Sequence, residues 1–254
     1  MKVTILGCGS STGVPRIDGE WGACDPDEPR NRRSRCSIVV EEGGTRLLVD
    51  TAPDLRQQFL AAGIDDVDAV LYTHMHADQT HGIDDLRGLF LRKRSRLPVY
   101  GDPTTLGILR RRFDYIFEQP PNSPYPPIAE TNEIAVAGTF RIGAIEGLSF
   151  AQEHGSVTSL GLRLGKLAYS NDVNALDEAA FEALAGIELW IVDALRHTPH
   201  PTHAHLDLTL DWIGRIKPKR AVLTNMHIDM DYRTLVAELP DHVEPAYDGM
   251  VIQI

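Results

Sequence analysis

Thr73-His74-Met75-His76-Ala77-Asp78-Gln79-Thr80-His81-Gly82 follows directly on Val67-Asp68-Ala69-Val70-Leu71-Tyr72. The lead-in is apolar and β-branched enough to form a buried strand. Ending that strand in His-x-His-x-Asp, with His81 close behind, places several potential metal ligands on one short loop. Neutral imidazole and carboxylate together suit zinc, manganese or iron. A single histidine here would read as an ordinary polar loop. Three histidines and an aspartate at this spacing do not.

The same arrangement recurs further along. His154 follows the strand-like run Ser149 to Glu153, and Asp172 follows Leu167-Ala168-Tyr169-Ser170-Asn171. Asn225 and His227 follow Ala221 to Thr224, while His197, His200, His203 and His205 cluster after an apolar run ending in Asp193. Nearly all of the 10 histidines lie just beyond the C-terminal end of a predicted strand. Strands ending on one edge of a sandwich can pool such side chains in a single cleft.

The spacing predicts further strands at Val3 to Leu6, Ser37 to Val40, Arg46 to Val49, Ala69 to Tyr72 and Pro98 to Tyr100. Helices are predicted at Pro53 to Ala62 and Thr104 to Phe117. The second half predicts strands at Phe140 to Ile145, Ser159 to Leu164 and Lys166 to Ser170, with Gly165 at a hairpin turn. Strands at Glu188 to Asp193, Arg220 to Thr224 and Val251 to Ile254 follow, with helices at Asp177 to Leu184, Asp207 to Ile216 and Arg233 to Leu239. Pro120 to Pro127 is too proline-rich for helix or central strand, and reads as a surface loop: a lid, a partner-binding arm or a spacer. The two halves have similar element order without repeating in sequence. They predict an α/β fold (α+β in its segregation), an αββα sandwich of two β-rich layers with helices outside, forming one domain over residues 1–254.

Composition narrows the class. The chain has 254 residues, 43% of them hydrophobic, and a net charge of -11. That supports a full core and argues against a broad grip on nucleic acid. No apolar run approaches the ~20 residues of a membrane span. The opening Met1-Lys2-Val3-Thr4-Ile5-Leu6-Gly7 lacks the apolar stretch of a secretory signal. Cys8, Cys24 and Cys36 do not form a disulfide pattern, so a reducing, cytoplasmic setting is expected. The basic runs Arg30, Arg32, Arg33, Arg35 and Arg92, Lys93, Arg94, Arg96 read as solvated faces.

His74-x-His76-x-Asp78, then His154, Ser170-Asn171-Asp172, and a late strand followed by Asn225 and His227 together resemble the metallo-β-lactamase superfamily of hydrolases. Gly7-Cys8-Gly9-Ser10-Ser11-Thr12-Gly13-Val14-Pro15, Arg35-Cys36-Ser37, Asp50-Thr51, Tyr100-Gly101, Pro103 and Tyr247-Asp248-Gly249-Met250 narrow the resemblance. They are similar to the phosphoribosyl cyclic phosphodiesterase branch of phosphonate degradation and its relatives. The resemblance covers essentially the whole chain. It implies that His74, His76 and His154 hold a first divalent ion, that Asp172 bridges two ions, and that Asp78 belongs to the second. The family usually has histidine at the positions of Gln79 and Asn225. An amide oxygen is the weaker ligand, so the second ion is expected to be weakly held, absent, or held by His81 or His227 instead. The branch also implies a structural zinc, but Gly19, Trp21 and Ile228 stand where three of its four ligands would be, leaving only Cys24. Packing of Trp21 is then expected to hold that segment.

One or two divalent ions, zinc or manganese foremost, are therefore expected. An ion held by such ligands lowers the pKa of bound water toward neutrality and counters charge on a phosphoryl or carbonyl oxygen. Protonating the leaving group suits histidine, and His203 and His205 are the candidates, one of them ahead of a helix in the manner of phosphodiesterase relatives. Ser10, Ser11 and Gly13 are candidate phosphate contacts. The expected activity is hydrolysis of a small cyclic phosphate or nucleotide-like phosphodiester. A nuclease acting on RNA or DNA, a lactone or thioester hydrolase, and a degenerate metal-binding module are the alternatives. The partner expected is a small molecule rather than a membrane, with nucleic acid less favoured and a homodimer left open.

Overall fold

Strands that are apolar on both faces must be covered on both sides, and the computed structural model, which describes residues 1–254, shows how. The first sheet contains β1 (Lys2–Gly7), β2 (Ser37–Glu42), β3 (Thr45–Val49), β4 (Ala69–Leu71), β5 (Leu97–Gly101) and β6 (Ala129–Glu133), with β14 (Val251–Gln253) on the edge beside β1. The second contains, in spatial order, β7 (Gly138–Ile142), β8 (Ile145–His154), β9 (Val157–Leu164), β10 (Leu167–Ser170), β11 (Leu189–Asp193), β12 (Arg220–Thr224) and β13 (Val243–Pro245). Strands β3 to β6 run parallel, and so do β10 to β13; the remaining pairs are antiparallel. The helices are α1 (Leu55–Ala62), α2 (Ala77–Thr80), α3 (Leu86–Lys93), α4 (Pro103–Arg112), α5 (Asp114–Phe117), α6 (Glu178–Leu184), α7 (Leu206–Ile216) and α8 (Tyr232–Glu238). This is the αββα sandwich that the element order predicts. No helix is long and apolar enough to cross a membrane.

The two-residue period of a strand sorts side chains between two cores. In β2, Ile38 and Val40 join the large core shared with the second sheet, while Val39 joins the outer core. In β3 the split is Leu47 and Val49 against Leu48, and in β4 it is Ala69 and Leu71 against Val70. The outer core is closed by Leu55 of α1, Leu86 of α3, and Leu106 and Leu109 of α4. Burying one such aliphatic side chain contributes about 1.5–3 kcal/mol, more than the ~1 kcal/mol range of strand propensity. Packing therefore secures β4, whose three residues are all buried.

Some boundaries differ from expectation. The helix predicted over Thr104 to Phe117 is two helices, because Phe113 leaves helical geometry at φ -132°. The strand predicted over Phe140 to Ile145 is instead the end of β7, a turn with Gly143 at φ +56°, and the start of β8. β6, β13, α2 and α3 have no counterpart in the predicted elements. β6 reads Ala-Glu-Thr-Asn-Glu and lacks an apolar pattern because it closes the edge of its sheet. Residues 120–127 form an exposed loop that lines a groove with Phe90, Leu91 and Tyr115.

The segment before β2 corrects one expectation and extends another. Arg33 does not belong to a solvated face; it is 2% exposed. Its guanidinium donates to the Met230 carbonyl at 2.7 Å and to Asn31 Oδ1 at 3.2 Å. Trp21 packs with Val14, Cys24 and Ile228, but polar links share the work of holding this segment. Asn31 Nδ2 donates to Asp231 Oδ2 at 2.7 Å, and the Asp25 N–H donates to the same oxygen at 3.1 Å. Asp231 also caps α8, accepting from Thr234 N–H at 2.9 Å. Although burial pushes the Asp231 carboxyl up, these hydrogen bonds hold it down to about 2. Asp231→Ala is therefore expected to cost about 2 kcal/mol in urea unfolding at neutral pH. A depressed folded pKa stabilises fully above the usual 3.8 and is lost as pH falls through about 2. The wild-type advantage over the variant should shrink across that window; an advantage constant with pH would contradict the assignment.

Candidate metal centre

The loop after β4 is fixed before any chemistry is considered. Gly82 N–H donates to the Thr51 carbonyl at 2.9 Å, and Thr51 N–H donates to the Gln79 carbonyl at 2.8 Å. A Cβ on residue 82 would stand 2.1 Å from the Ala52 carbonyl oxygen, so only glycine allows this approach. Arg112 donates to the Met75 carbonyl at 2.7 Å from the far side. On this loop His74 is fully buried and His76 partly so, while His154 comes from the end of β8 in the opposite sheet.

Three imidazole nitrogens converge. His76 Nδ1 lies 3.0 Å from His74 Nε2 and 3.2 Å from His154 Nε2. Asp172 Oδ2 lies 3.3 Å from His74 Nε2. A tetrahedral ion with bonds of about 2.0 Å has ligand atoms about 3.3 Å apart, so this spacing fits one ion. The protonation states fit as well. His154 Nδ1 donates to the Thr202 carbonyl at 2.7 Å, leaving Nε2 as a lone pair. His74 Nδ1 lies 3.0 Å from Thr73 Oγ1, which lies 2.8 Å from Asp50 Oδ2. Burial raises Asp50 to about 8, opposed by the hydrogen bonds it accepts from Thr73 N–H and Oγ1–H; in its ionised form the proton order runs from His74 through Thr73 to Asp50 and leaves His74 Nε2 free. Burial pushes His74 well below its usual range, pushes His76 down, and takes His154 to about 4. Without an ion, His76 Nδ1–H can donate to His74 Nε2 and His154 Nε2; with its proton on Nε2 instead, the three nitrogens offer three converging lone pairs to a cation.

Carboxylates and a fourth histidine flank this set. Asp172 is 2% exposed; burial first, then repulsion from Asp78, pushes it well up. Asp78 is partly buried and also raised by burial. His203 Nδ1 lies 3.0 Å from Asp193 Oδ2 and 3.3 Å from Asp172 Oδ1, and its ring lies 4.6 Å from that of His154. Burial alone would push His203 down, but its hydrogen bond to Asp193 and the surrounding carboxylates push it up to about 9. The imidazolium is thus favoured, with Nδ1–H given to Asp193. Asp50, Asp172 and Asn225 all sit just past strand ends with left-handed backbones, at φ 62°, 52° and 61°. Asparagine and aspartate tolerate this region better than most residues.

Several expected residues lie elsewhere. His81 is exposed and packs edge-on against Phe113 at 5.7 Å, so it does not join the cluster. His227 Nε2 lies 2.6 Å from Arg16 Nη2, and its Nδ1 lies 3.2 Å from Asp229. It lines the neighbouring cleft rather than the ion cage. His205 supplies only its carbonyl to the first turn of α7, accepting from Thr209 N–H at 3.0 Å, whereas His203 reaches the cluster. Ser10 and Ser11 line the cleft with Thr12, Arg196 and His200. Gly13 faces a different groove, and its N–H is committed to the Ser10 carbonyl at 2.8 Å. Asp193, Thr73 and Asp50 escaped the sequence reading as site residues. Asp193 had left a signal, an acid ending a wholly apolar strand.

Comparison with known proteins adds independent findings. The family model for the Beta-lactamase superfamily domain matches residues 45–228. A solved PhnP-family diphosphatase superposes with TM-score 0.91 at 32% identity, covering 100% of this chain and 97% of that one. An octanoyltransferase of Porphyromonas gingivalis is 32% identical over 98% of this chain but only 51% of its own length. A ribonuclease Z of Bradyrhizobium is 30% identical over 52% of this chain and 44% of its own length. The chain thus spans about half the length of these curated relatives.

Two substitutions check the cage. His76→Ala should remove most bound divalent ion, as read by mass spectrometry; full stoichiometry would exclude it as a ligand. Thr73→Val keeps the side chain's size but leaves His74 Nδ1 without its acceptor. It should weaken ion affinity by about 10–100-fold in a chelator competition.

Proposed function

The chain belongs to the beta-lactamase superfamily of hydrolases, and from that premise we propose that it is a metal-dependent phosphodiesterase acting on a small cyclic phosphate or nucleotide-like phosphodiester. The observation that carries this reading is the placement of the His203–Asp193 pair directly against the three-histidine cage, with the His203 ring 4.6 Å from that of His154 and its Nδ1 3.3 Å from Asp172. His74, His76, His154 and Asp172 would hold a divalent ion, which when bound would supply an acidified water at neutral pH and a counter-charge for phosphoryl oxygens.

The protein's own groups do the rest. Asp193 holds the Nδ1 proton of His203, so Nε2–H is the proton left for a departing alkoxide. Ser10, Ser11, Thr12 and Arg196 offer hydroxyls and positive charge along the cleft wall, suited to phosphate oxygens. Similarity over nearly full length to a PhnP-family diphosphatase supports phosphorus chemistry. The net charge of -11 weighs against a nuclease.

The test is a substrate panel on metal-reconstituted protein. Turnover of bis(p-nitrophenyl) phosphate and of cyclic phosphates is expected; turnover of lactones or thioesters alone would overturn the reading. His203→Gln should slow an alkyl phosphodiester by about 10²–10⁴-fold while keeping the ion. The loss should be smaller for p-nitrophenyl leaving groups, which need little protonation. Because the active form of His203 is protonated, the wild-type rate should fall as pH rises through about 9. Asp193→Asn should move that fall to lower pH.

A further inference from the structure

We infer that the centre holds a single ion, and that the side-chain amides of Gln79 and Asn225 take up with hydrogen bonds the space where a second ion would sit, a conclusion that rests on reading the three-histidine cage as a metal centre. Gln79 is fully buried and Asn225 is 1% exposed. Gln79 Nε2 donates to Asp172 Oδ2 at 2.8 Å, and Asn225 Nδ2 donates to Asp172 Oδ1 at 2.7 Å. Both oxygens of this carboxylate are therefore engaged by amide N–H groups. Gln79 Nε2 also lies 3.2 Å from Asp78 Oδ2, so one amide nitrogen bridges the two carboxylates.

A cation needs lone pairs, but this face of Asp172 presents donors. Turning either amide over would press its oxygen against a carboxylate, a cost that holds Gln79 in this orientation even though its Oε1 is left buried without a partner. His203 stands with His154 and Asp172 as a second group of possible ligands, but as the donor of the 3.0 Å hydrogen bond to Asp193 its Nδ1 has no lone pair to give, and its 3.1 Å approach to Asn225 Nδ2 is then a contact between two donors. Seating a second ion here would require reversing both amides. Two charge-assisted hydrogen bonds would be lost in exchange for two amide oxygens, weak ligands for transition ions. Asp172 is instead fixed as a ligand of the first centre, with Oδ2 turned toward His74. Gln79 and Asn225 act as positioning residues.

The experiment counts ions without substrate. Protein dialysed against excess Zn²⁺ should carry one tightly held ion per chain by plasma mass spectrometry. Titration with Mn²⁺ should give the paramagnetic resonance spectrum of an isolated ion, with the second equivalent appearing as free aqueous Mn²⁺. The variant Gln79→His with Asn225→His should take up two ions and show a spin-coupled Mn²⁺ pair. Two equally tight ions in the wild type would overturn the inference, and so would a folded double variant that stays at one. Should the double variant not fold, the wild-type Mn²⁺ spectrum decides alone. A wild type binding no ion would instead overturn the metal centre itself, while one ion without phosphodiester turnover would remove only the substrate reading.

Discussion

A strand covered on both faces can offer polar side chains to a ligand only where it ends. That constraint shapes this molecule. β3, β4, β8, β10, β11 and β12 are packed between the inter-sheet core and outer apolar layers, and their ends carry Asp50, His74 with His76, His154, Asp172, Asp193 and Asn225. The parallel halves of the two sheets bring most of these ends to one edge. Ligands far apart in sequence thus meet across a rigid scaffold, and the short loops that hold them are clamped by backbone hydrogen bonds at Thr51, Gln79 and Gly82.

Burial acts on the site's acids and bases in opposite directions. It raises Asp78, Asp172 and Asp193 and lowers His74, His76 and His154, in each case opposing the charged form. A divalent ion favours both ionised carboxylates and unprotonated imidazoles. Ion binding and proton release are consequently coupled in this centre. His203 departs from the trend because its Asp193 hydrogen bond and the charges of Asp193, Asp172 and Asp78 together outweigh burial, which separates its role from that of the three cage histidines.

Much of this was legible in the sequence because its signals are local. His74-x-His76-x-Asp78 follows an unmistakable strand, and the alternation of strands and helices gives the sandwich. The pairing of His203 with Asp193 was not legible, since contact across ten residues depends on how the loop from Ala194 to His205 returns to the cleft. Nor was the burial of Arg33: a run of arginines looks solvated until the Met230 carbonyl and Asn31 are seen to enclose one of them. Gln79 and Asn225 were visible as departures from a family pattern. Their actual engagement with Asp172 is a three-dimensional fact, because the three residues come from different strand ends.

The left-handed backbone at Asn225 bears on how such a centre can evolve. Asparagine, aspartate and histidine are the side-chain-bearing residues that enter this region most readily, so amide and imidazole can exchange there without disturbing the chain trace. Codons for asparagine and glutamine each lie a single base from a histidine codon. The number of ions bound by this scaffold is therefore separated from its neighbour by very short mutational steps, and lineages sharing the fold can drift between one-ion and two-ion chemistry while every strand stays in place.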